Sequence, residues 1–456
     1  MDTIAAISTA YGVSGIGIIR ISGDEAVNIA DKIFKSKQGK NLKELEERKL
    51  NYGWIINPSN KEKVDEVLTV YMNKPYTYTK EDVVEINCHG GIVPLRKILD
   101  IILEQDCRLA ERGEFTKRAF LNGRLDLTQA ESVMDIISSK TEKSMSLSMD
   151  QLQGRLSKQV NEIVDELMEL KAHLEVNIDF PEYDEEELTK EKIKEKAFIM
   201  KENIEKLISS ADTGKIFKEG INTLILGKPN VGKSSLMNFL LNENRSIVTE
   251  VPGTTRDTIE EFVNLAGVPL NIIDTAGIRY TDDIVEKIGV QKAIDKIDDS
   301  DLIIMIFDAS KELEEDDEII LNNIENKKVI YLMNKTDLNT KIDLTNYKEI
   351  EKEVIKISLL KNEGLEEIET KVKEEFLAGN IDANNDLIVT NTRHKNLLKK
   401  ANNSLKELLG SIEAGLTLEC LEVDINDTIH YLGEITGSTV SESVIEKIFS
   451  NFCIGK

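Results

Sequence analysis

The segment GKPNVGKS, residues 227–234, restricts the possible folds of this chain more than any other feature. It matches the pattern G-x-x-x-x-G-K-[ST], follows the apolar run INTLIL and precedes the helix-like run SLMNFLL. In such a loop the glycines let backbone amides surround phosphates, the lysine reaches the outer phosphates and the serine binds Mg²⁺. We therefore predict a phosphate-binding loop at the end of a buried strand, with Gly227, Gly232, Lys233 and Ser234 at the phosphates.

Apolar strands alternate with helix-like segments around this loop. The runs INTLILG, LNIID, LIIMIFD, VIYLMNK and VIKIS are candidates for buried strands between residues 219 and 380. Strands that alternate with helices form a mostly parallel sheet that is covered on both faces. The pattern therefore predicts an α/β domain over residues 219–380.

Two further motifs are typical of a magnesium and phosphate site. DTAG, residues 274–277, ends a strong apolar strand. Asp274 is therefore placed to hold Mg²⁺ through water, and the Gly277 amide to contact the γ-phosphate. GTTRD, residues 253–257, lies before it, and the Thr255 hydroxyl is the better candidate there to complete the magnesium shell.

A last motif, NKTD at residues 334–337, ends a later strand and indicates which base is bound. The Asp337 carboxylate only accepts hydrogen bonds. It therefore suits guanine, whose N1–H and exocyclic amine both donate on one edge, whereas adenine offers no such pair. Together, the ordered motifs predict a Ras-like P-loop GTPase domain.

The position after DTAG departs from many small GTPases, in which a glutamine there orients the attacking water. Here it holds Ile278, which cannot orient water. Another group must do so, from this chain or from a second one, and Arg279 and Glu286 are the nearby candidates. By spacing alone, a solvated switch segment is the simpler interpretation of both.

The rest of the chain predicts an all-α component beside the α/β ones. Residues 1–119 mix strand-like runs such as GIGIIRIS with the helix-like run VPLRKILDIILEQ, which indicates a small α/β domain. Residues 120–218 and 381–456 are helical, so the simplest architecture inserts the domain 219–380 between two halves of one helical domain. The apolar positions at helical spacing are Leu152, Leu156, Val160, Ile163, Val164, Leu167, Leu170 and Leu174, and then Leu397, Leu398, Ala401, Leu405, Leu408, Leu409 and Ile412.

Charge limits how this chain can meet nucleic acid. The net charge is −25, although the first 120 residues are neutral, with 18 acidic and 18 basic side chains. Since an acidic surface repels phosphates, a nucleic-acid substrate needs a local basic patch. One candidate is CRLAERGEFTKRAFLNGR, for which a helix surface paired with Glu111 and Glu114 is the simpler interpretation. Its basic residues are Arg108, Arg112, Lys117, Arg118 and Arg124.

Cysteine usage and hydropathy predict the compartment. The four cysteines contain no C-x-x-C pair and are too few for a disulfide framework, which predicts a reducing, cytoplasmic setting. No apolar run approaches the roughly 18 residues of a membrane span. The first residues, MDTIAAISTAYG, have no basic start before their apolar stretch, so no signal peptide and no membrane association are expected.

The chain ends FSNFCIGK, with Cys453 followed by three residues. CIGK has the bare form C-a-a-X, but Gly455 is not aliphatic and lysine is not a usual last residue, so a prenylation signal does not fit. A frayed end is the simplest interpretation by spacing. However, Val444, Ile448 and Phe452 have helical spacing, which would dock the preceding helix and hold the tail in place.

Several longer segments occur beside these motifs in one order. They are DTIAAISTAYGVSGIGIIRISG, YTKEDVVEINCHGG, RGEFTKRAFLNGRLDLTQAE, GTTRD, DTAGIR and the terminal CIGK. In this combination the whole chain resembles the MnmE (TrmE) family of tRNA modification GTPases. The resemblance implies an N-terminal folate-binding and dimerising domain, a discontinuous helical domain and an inserted GTPase domain. It also implies a homodimer that works with the flavin-dependent partner MnmG. The resemblance implies that the two proteins together add an aminomethyl or carboxymethylaminomethyl group to C5 of the wobble uridine of certain tRNAs.

The resemblance further implies cofactors and site residues. The cofactors are Mg²⁺, K⁺ and a tetrahydrofolate derivative, 5-formyl- or methylene-tetrahydrofolate, with GTP as substrate and GTP hydrolysis activated when GTPase domains pair. The implied GTP-binding residues are Gly227, Asn230, Val231, Gly232, Lys233, Ser234, Ser235, Thr249, Glu250, Val251, Pro252, Gly253, Thr254, Thr255, Asp274, Thr275, Ala276, Gly277, Asn334, Lys335, Asp337, Ser358, Leu359 and Leu360. Those for Mg²⁺ are Ser234 and Thr255; those for K⁺ are Asn230, Thr249, Val251 and Thr254; those for folate are Arg20, Glu85, Arg124 and Lys456. Glu286 and Arg279 are the catalytic candidates for hydrolysis, and Cys453 for the modification.

Two other functions fit parts of the sequence. One is a GTP-driven switch that docks on ribosomal or other RNA as an assembly factor. Its docking module should be distinctly basic, whereas the chain after residue 120 is acidic. The other is a folate-dependent transferase that its GTPase domain only regulates, which differs in the protein that performs the chemistry.

Overall fold

A computed structural model describes residues 2–179, 186–243, 261–265, 267–273, 296–324, 326–377 and 387–456. The chain divides into two compact units. The first unit contains Met1–Ile137, Met149–Phe198 and Lys400–Lys456, and the second unit contains Ser138–Ser148 and Ile199–Lys399. The domain boundaries expected at residues 119, 218 and 380 stay a prediction.

Both α/β sheets and long helices are present, as the sequence patterns indicate. The strands are β1 (Ile4–Ile7), β2 (Ser14–Ser22), β3 (Phe34–Ser36), β4 (Asn51–Ile56), β5 (Lys63–Met72), β6 (Val83–Gly90), β7 (Arg108–Leu109), β8 (Ile221–Leu226), β9 (Glu261–Leu265), β10 (Val268–Ile273), β11 (Leu302–Asp308), β12 (Val329–Asn334) and β13 (Ile355–Lys356). The helices are α1 (Ala26–Ile33), α2 (Ile92–Leu103), α3 (Glu114–Leu121), α4 (Leu127–Ser138), α5 (Glu142–Leu152), α6 (Arg155–Asp179), α7 (Glu186–Glu219), α8 (Lys233–Glu243), α9 (Glu315–Ile324), α10 (Lys348–Glu353), α11 (Leu365–Leu377), α12 (Thr392–Glu413), α13 (Leu418–Thr436) and α14 (Glu442–Phe449).

The first unit contains a seven-stranded sheet in the order β3-β4-β5-β6-β2-β1-β7. Neighbouring strands of this sheet are antiparallel, except that β1 and β7 are parallel. Side chains alternate between the two faces of a strand. Ile19, Ile21 and Ile86 therefore share one face, where they form a core with α1 and α2. Arg20 and Glu85 stand opposite each other on the other face.

Helices complete the first unit, and α6 packs along α13. The predicted apolar face is present, because Leu167, Leu170 and Leu174 are buried. The expectation that Leu152 continues this helix was wrong. Gly154 has φ +80°, a conformation that favours glycine, and it separates α5 from α6.

The second unit contains a six-stranded sheet in the order β13-β12-β11-β8-β10-β9. All neighbouring strands are parallel except β9 and β10, which confirms the predicted mostly parallel sheet. Helices cover both faces. Leu236 of α8 and Ile368 of α11 belong to the core on one face, and Ile320 of α9 and Ile350 of α10 belong to the core on the other. This arrangement brings the carboxyl ends of β8, β11 and β12 to one edge.

The long helices are amphipathic, and their apolar side chains are buried on one face, as in α6 and α13. Across the described ranges, we find no helix that is both long and apolar enough to span a membrane.

Candidate active site: the nucleotide pocket and the C-terminal tail

The phosphate loop of the second unit joins β8 to α8 through unusual backbone conformations. Gly227 has φ +145°, Gly232 has φ +113° and Asn230 has φ +63°. These are conformations that glycine, and less often asparagine, adopts. A Cβ at Gly232 would also collide with the amide nitrogen of Asn334. Gly232 is therefore required by both the turn and the close approach of the Asn334 side chain.

Lys233 is the half-buried cation of this loop. Its Nζ donates to the carbonyl oxygens of Gly227, at 2.7 Å, and Lys228, at 2.8 Å. Burial lowers the pKa of Lys233 to about 8. Within the described part of the chain, this ammonium donates only to neutral carbonyls and has no countercharge, which a phosphate would supply.

The NKTD segment, which we expect to contact the guanine base, is hydrogen-bonded to the phosphate loop. Asn334 Nδ2 donates to Val231 O at 2.8 Å, and Lys335 Nζ donates to Asn230 O at 2.8 Å. Ser358, fully buried, donates through Oγ to Asp337 Oδ1 at 2.8 Å. The Asp337 carboxylate, which we expect to accept from guanine, is therefore held in place by Ser358.

Asp308, at the end of β11, is a residue that the sequence reasoning missed. Its Oδ2 accepts from Lys335 Nζ at 2.6 Å. Burial opposes its ionisation, but hydrogen bonds from Lys335 and Ser310 outweigh that effect and lower the pKa of Asp308. The signal was available, because Asp308 ends a buried strand just as Asn334 does.

Several of these groups line a cavity of about 570 Å³. Its lining residues are Pro229, Asn230, Gly232, Lys233, Ser234, Ser235, Asn334, Lys335, Asp337, Leu338, Leu359 and Leu360. The sequence reasoning missed Pro229 and Leu338, which lie beside predicted residues in the chain. Gly227, Val231 and Ser358 do not line the cavity, but they support it through the contacts described above.

Part of the predicted site lies outside the described residues. The GTP and metal positions concerned are Thr249, Glu250, Val251, Pro252, Gly253, Thr254, Thr255, Asp274, Thr275, Ala276 and Gly277, and the catalytic candidates are Arg279 and Glu286. They stay predictions.

The C-terminal tail docks within the first unit and does not fray. Gly455 has φ +93°, and a Cβ there would collide with the Ile7 carbonyl oxygen. Ser8 Oγ donates to Gly455 O at 3.2 Å, and the Gly113 amide donates to Cys453 O at 3.2 Å. The tail is thus bound by its backbone to β1 and to the residues before α3, while the Cys453 side chain remains exposed.

The residues that dock the tail differ in part from those expected. Phe449 and Phe452 are buried with Leu127 and Ala130. Val444, in contrast, is 37% exposed. The tail is therefore docked mainly by Phe449, the last residue of α14, and by Phe452, which follows the helix.

The tail brings Lys456 to a cluster of charged residues, which we call the tail site: Arg20, Tyr78, Glu85, Arg124 and Lys456. Arg20 Nη2 lies 2.8 Å from Glu85 Oε1, and Arg20 and Arg124 lie 5.5 and 4.6 Å from the centroid of the Tyr78 ring. Burial and the nearby charge of Arg20 lower the pKa of Lys456, and Glu85 partly offsets this. All four predicted folate residues thus belong to the first unit, and the sequence reasoning missed Tyr78.

Two of the five basic residues of the candidate patch at residues 107–124 are engaged in internal ion pairs. Arg118 is buried and pairs with Asp2, at 2.7 Å, and with Glu81, at 3.1 Å. Both Arg108 and Arg118 pair with Glu114, as the simpler interpretation expected. These two arginines are therefore not available for phosphates.

Comparisons with known proteins agree with this arrangement. A family model described as MnmE helical domain matches residues 127–453, and one described as GTP-binding protein TrmE N-terminus matches residues 3–124. The tRNA modification GTPase MnmE of Alkaliphilus metalliredigens is 53% identical over 457 residues, covering 100% of this chain and 99% of that protein. The protein of the same name from Clostridioides difficile is 52% identical over 458 residues, with the same coverage. The chain therefore belongs to the MnmE (TrmE) family of tRNA modification GTPases.

Proposed function

We propose that this chain hydrolyses GTP and takes part in the modification of tRNA at C5 of the wobble uridine. The group added is aminomethyl or carboxymethylaminomethyl, and the flavin-dependent protein MnmG is the partner. The observation that carries the proposal is that one cavity combines Lys233 with Asp337, in a chain similar over its full length to MnmE proteins. A phosphate-binding cation and an acceptor for guanine in one cavity suit GTP.

The guanine selectivity that we propose rests on Asp337. Its Oδ1 already accepts from Ser358. An ionised carboxylate has about four lone-pair positions, so it still accepts from guanine N1–H and the exocyclic amine. Leu338 and Leu360, 51% and 86% exposed, line the same cavity and offer apolar surface to the faces of the base.

Mg²⁺ and K⁺ belong to the proposal as charge-neutralising cofactors. Ser234 would hold Mg²⁺ together with Thr255, and Asn230 would hold K⁺ together with Thr249, Val251 and Thr254. Ser234 and Asn230 both line the cavity, and hydroxyl and amide oxygens are suitable ligands for these hard cations. Such cations stabilise charge that develops on the phosphates. Glu286 would orient water, with Arg279 as the second candidate.

The tail site suits a folate derivative as the proposed one-carbon donor. A carboxylate, Glu85, would accept from the amide-like N–H groups of a pterin. Arg20, Arg124 and Lys456 would meet the carboxylates of the same ligand, since guanidinium–carboxylate pairs are strong and directional. The lowered pKa of Lys456 supports an anionic ligand, because the bound anion would relieve its unfavourable burial.

Cys453 is the proposed residue for the modification chemistry. It is exposed, and its neighbours on both sides are held by the docked tail. The proposal also includes a homodimer and a cytoplasmic location, both of which rest on the family.

The experiment that tests the proposal is nucleoside analysis of tRNA from cells that lack this protein. We expect the wobble modification to be lost in the null strain, restored by the wild-type chain and not restored by Cys453→Ser. GTP hydrolysis by purified Cys453→Ser protein should equal that of the wild type. If the wobble uridines of tRNA from the null strain still carry the modification, the proposal is excluded and a GTP-driven assembly factor is favoured.

A further inference from the structure

A second feature of the first unit, outside the tail site, has the chemistry of a binding surface. β3 is an edge strand, and the adjacent β4 carries Tyr52 and Trp54 on the sheet face opposite the core. Their ring centroids are 5.5 Å apart at an interplanar angle of 64°. Lys63 Nζ lies 4.0 Å from the centroid of Trp54, and Lys37 Nζ lies 5.6 Å from that of Tyr52.

This part of the chain is basic although the whole chain is acidic. Residues 32–63 hold nine basic and four acidic side chains, against a net charge of −25 for the chain. Lys49 and Arg48 pair with Glu46 and Glu47. Among the described residues, the lysines of this segment that form no ion pair are Lys32, Lys35, Lys37, Lys40, Lys43, Lys61 and Lys63.

The acidic neighbours of the rings are already engaged. Glu66, opposite Trp54 in the sheet, accepts from the Tyr52 hydroxyl at 2.8 Å. That hydrogen bond raises the pKa of Tyr52, so the phenol stays neutral. Asp65 pairs with His89. Glu66 keeps its charge in that hydrogen bond, so the surface combines aromatic rings, one carboxylate and several lysines that form no ion pair. Two arginines of the other basic segment, residues 107–124, form internal ion pairs instead.

Aromatic rings beside lysines form the combination that binds unpaired nucleic acid. Bases stack on aromatic side chains, and this stacking tolerates any sequence because every base has a π-face. Lysines bind the phosphates and release counterions. A double helix hides its base faces, so it would use only the lysines of such a surface.

We propose that the aromatic–lysine edge, defined as Lys35, Lys37, Tyr52, Trp54 and Lys63, binds an unpaired segment of the tRNA substrate. This inference rests on the proposed function, because tRNA is the RNA which that function requires. Lys35 stands opposite Trp54 and is exposed. When a base stacks on the Trp54 ring, it displaces the Lys63 ammonium from that ring. The displaced ammonium then pairs with the adjoining phosphate.

The chain contains one tryptophan, so Trp54 fluorescence reports on this surface alone. The full chain is titrated with an RNA hairpin that has an unpaired loop and with a fully paired duplex of the same stem. We expect the loop to quench Trp54 and the duplex to leave it unchanged. Trp54→Ala should weaken hairpin binding, measured by anisotropy of labelled RNA, by about 10- to 100-fold.

Charge variants test the lysines separately from the ring. Lys35→Gln with Lys63→Gln should reduce the slope of log affinity against log salt by about 0.7 for each lost phosphate contact. The matched control is Lys348→Gln with Lys352→Gln, which removes two exposed lysines of α10 and should leave the slope unchanged. GTP hydrolysis at the wild-type rate verifies that each variant is folded.

Three results would overturn the inference: no quenching by the hairpin, unchanged affinity of Trp54→Ala, or a change in oligomeric state in the lysine variant. The last would identify the edge as a contact between copies of this chain. Failure of the proposed function is distinguishable. In that case tRNA from the null strain keeps its wobble modification, whereas failure of the edge alone leaves that modification dependent on this protein and insensitive to Trp54→Ala.

Discussion

The nucleotide pocket and the tail site recruit their residues in opposite ways. The pocket is built from short motifs at strand ends, in which Lys233 contacts carbonyls only five and six residues away. The tail site depends on contacts such as the one between Ser8 and Gly455, which are 447 residues apart. A motif therefore indicates the first kind of site directly, whereas the second kind exists only after the tail has docked.

Their electrostatics differ as well. The pocket relies on one half-buried lysine and a carboxylate that is held by Ser358. The tail site gathers three cations around one carboxylate and one aromatic ring. Removing one group from the pocket should therefore lower GTP affinity directly. The tail site should be most sensitive to changes that prevent its backbone from docking.

The largest effect is expected from Asp337→Asn, which leaves the tail site intact. The variant loses two hydrogen bonds to a charged acceptor, each worth about 1.5–3 kcal/mol, so GTP affinity should fall by at least about 100-fold. Xanthosine triphosphate should bind better to the variant than to the wild type, because its carbonyl accepts from the asparagine amide. Isothermal titration with both nucleotides measures this. Equal GTP affinity in variant and wild type would contradict the assignment of Asp337.

The next largest effect tests the tail. Gly455→Ala places a Cβ against the Ile7 carbonyl at a φ of +93°, which alanine rarely adopts. We expect tRNA modification to fall by at least about tenfold while GTP hydrolysis is retained, because strain of this kind costs roughly 1–3 kcal/mol. The matched control is Gly410→Ala, since the Gly410 Cβ would meet no atom within 4 Å. Wild-type modification in Gly455→Ala would show that docking of the tail is dispensable.

A third effect depends on pH and concerns Lys233. With a pKa of about 8 in the nucleotide-free protein, this lysine is mostly neutral at pH 9, whereas bound phosphates would keep it charged. Nucleotide binding near pH 9 should therefore take up about one proton, and affinity should fall by up to about tenfold per pH unit above pH 8. Titration calorimetry in buffers of different ionisation enthalpy measures the uptake. Lys233→Met should bind with no such proton uptake.

The same pKa has a consequence for stability. Because folding lowers the pKa of Lys233 below its ordinary value of 10.5, the unfolded chain binds more protons between about pH 8 and 10.5. The contribution of Lys233 to the free energy of unfolding should therefore rise with pH across that window.

The smallest effect is expected from Ser358→Ala. It removes one hydrogen bond that orients Asp337 without removing the carboxylate. A bond of this kind contributes about 1 kcal/mol, so GTP affinity should fall by roughly 3- to 10-fold. Direct nucleotide titration measures the change, and Ser310→Ala, beside Asp308 at the other strand end, gives a comparison within the same unit. A loss as large as that of Asp337→Asn would mean that Ser358 contacts the base itself.

The sequence patterns predicted the α/β and helical components well. Buried strands such as β8, β11 and β12 consist of near-continuous apolar runs, the local pattern that a parallel sheet covered on both faces requires. The break at Gly154 was missed, because a single glycine within a helical pattern does not show whether its φ is positive. Val444 was misjudged because helical spacing identifies a face without showing what covers it.

By itself, the sequence predicted the phosphate loop and the guanine-side motif from residue types at short spacing, and it determined the family from the order of longer segments along the whole chain. Only the tertiary structure decided that Asp308 anchors Lys335, that Arg118 is buried in ion pairs, and that Lys456 lies beside Arg20. The physical reason is that such contacts join residues from distant segments. Their partners depend on how strands and helices pack, and no local pattern of residues encodes that packing.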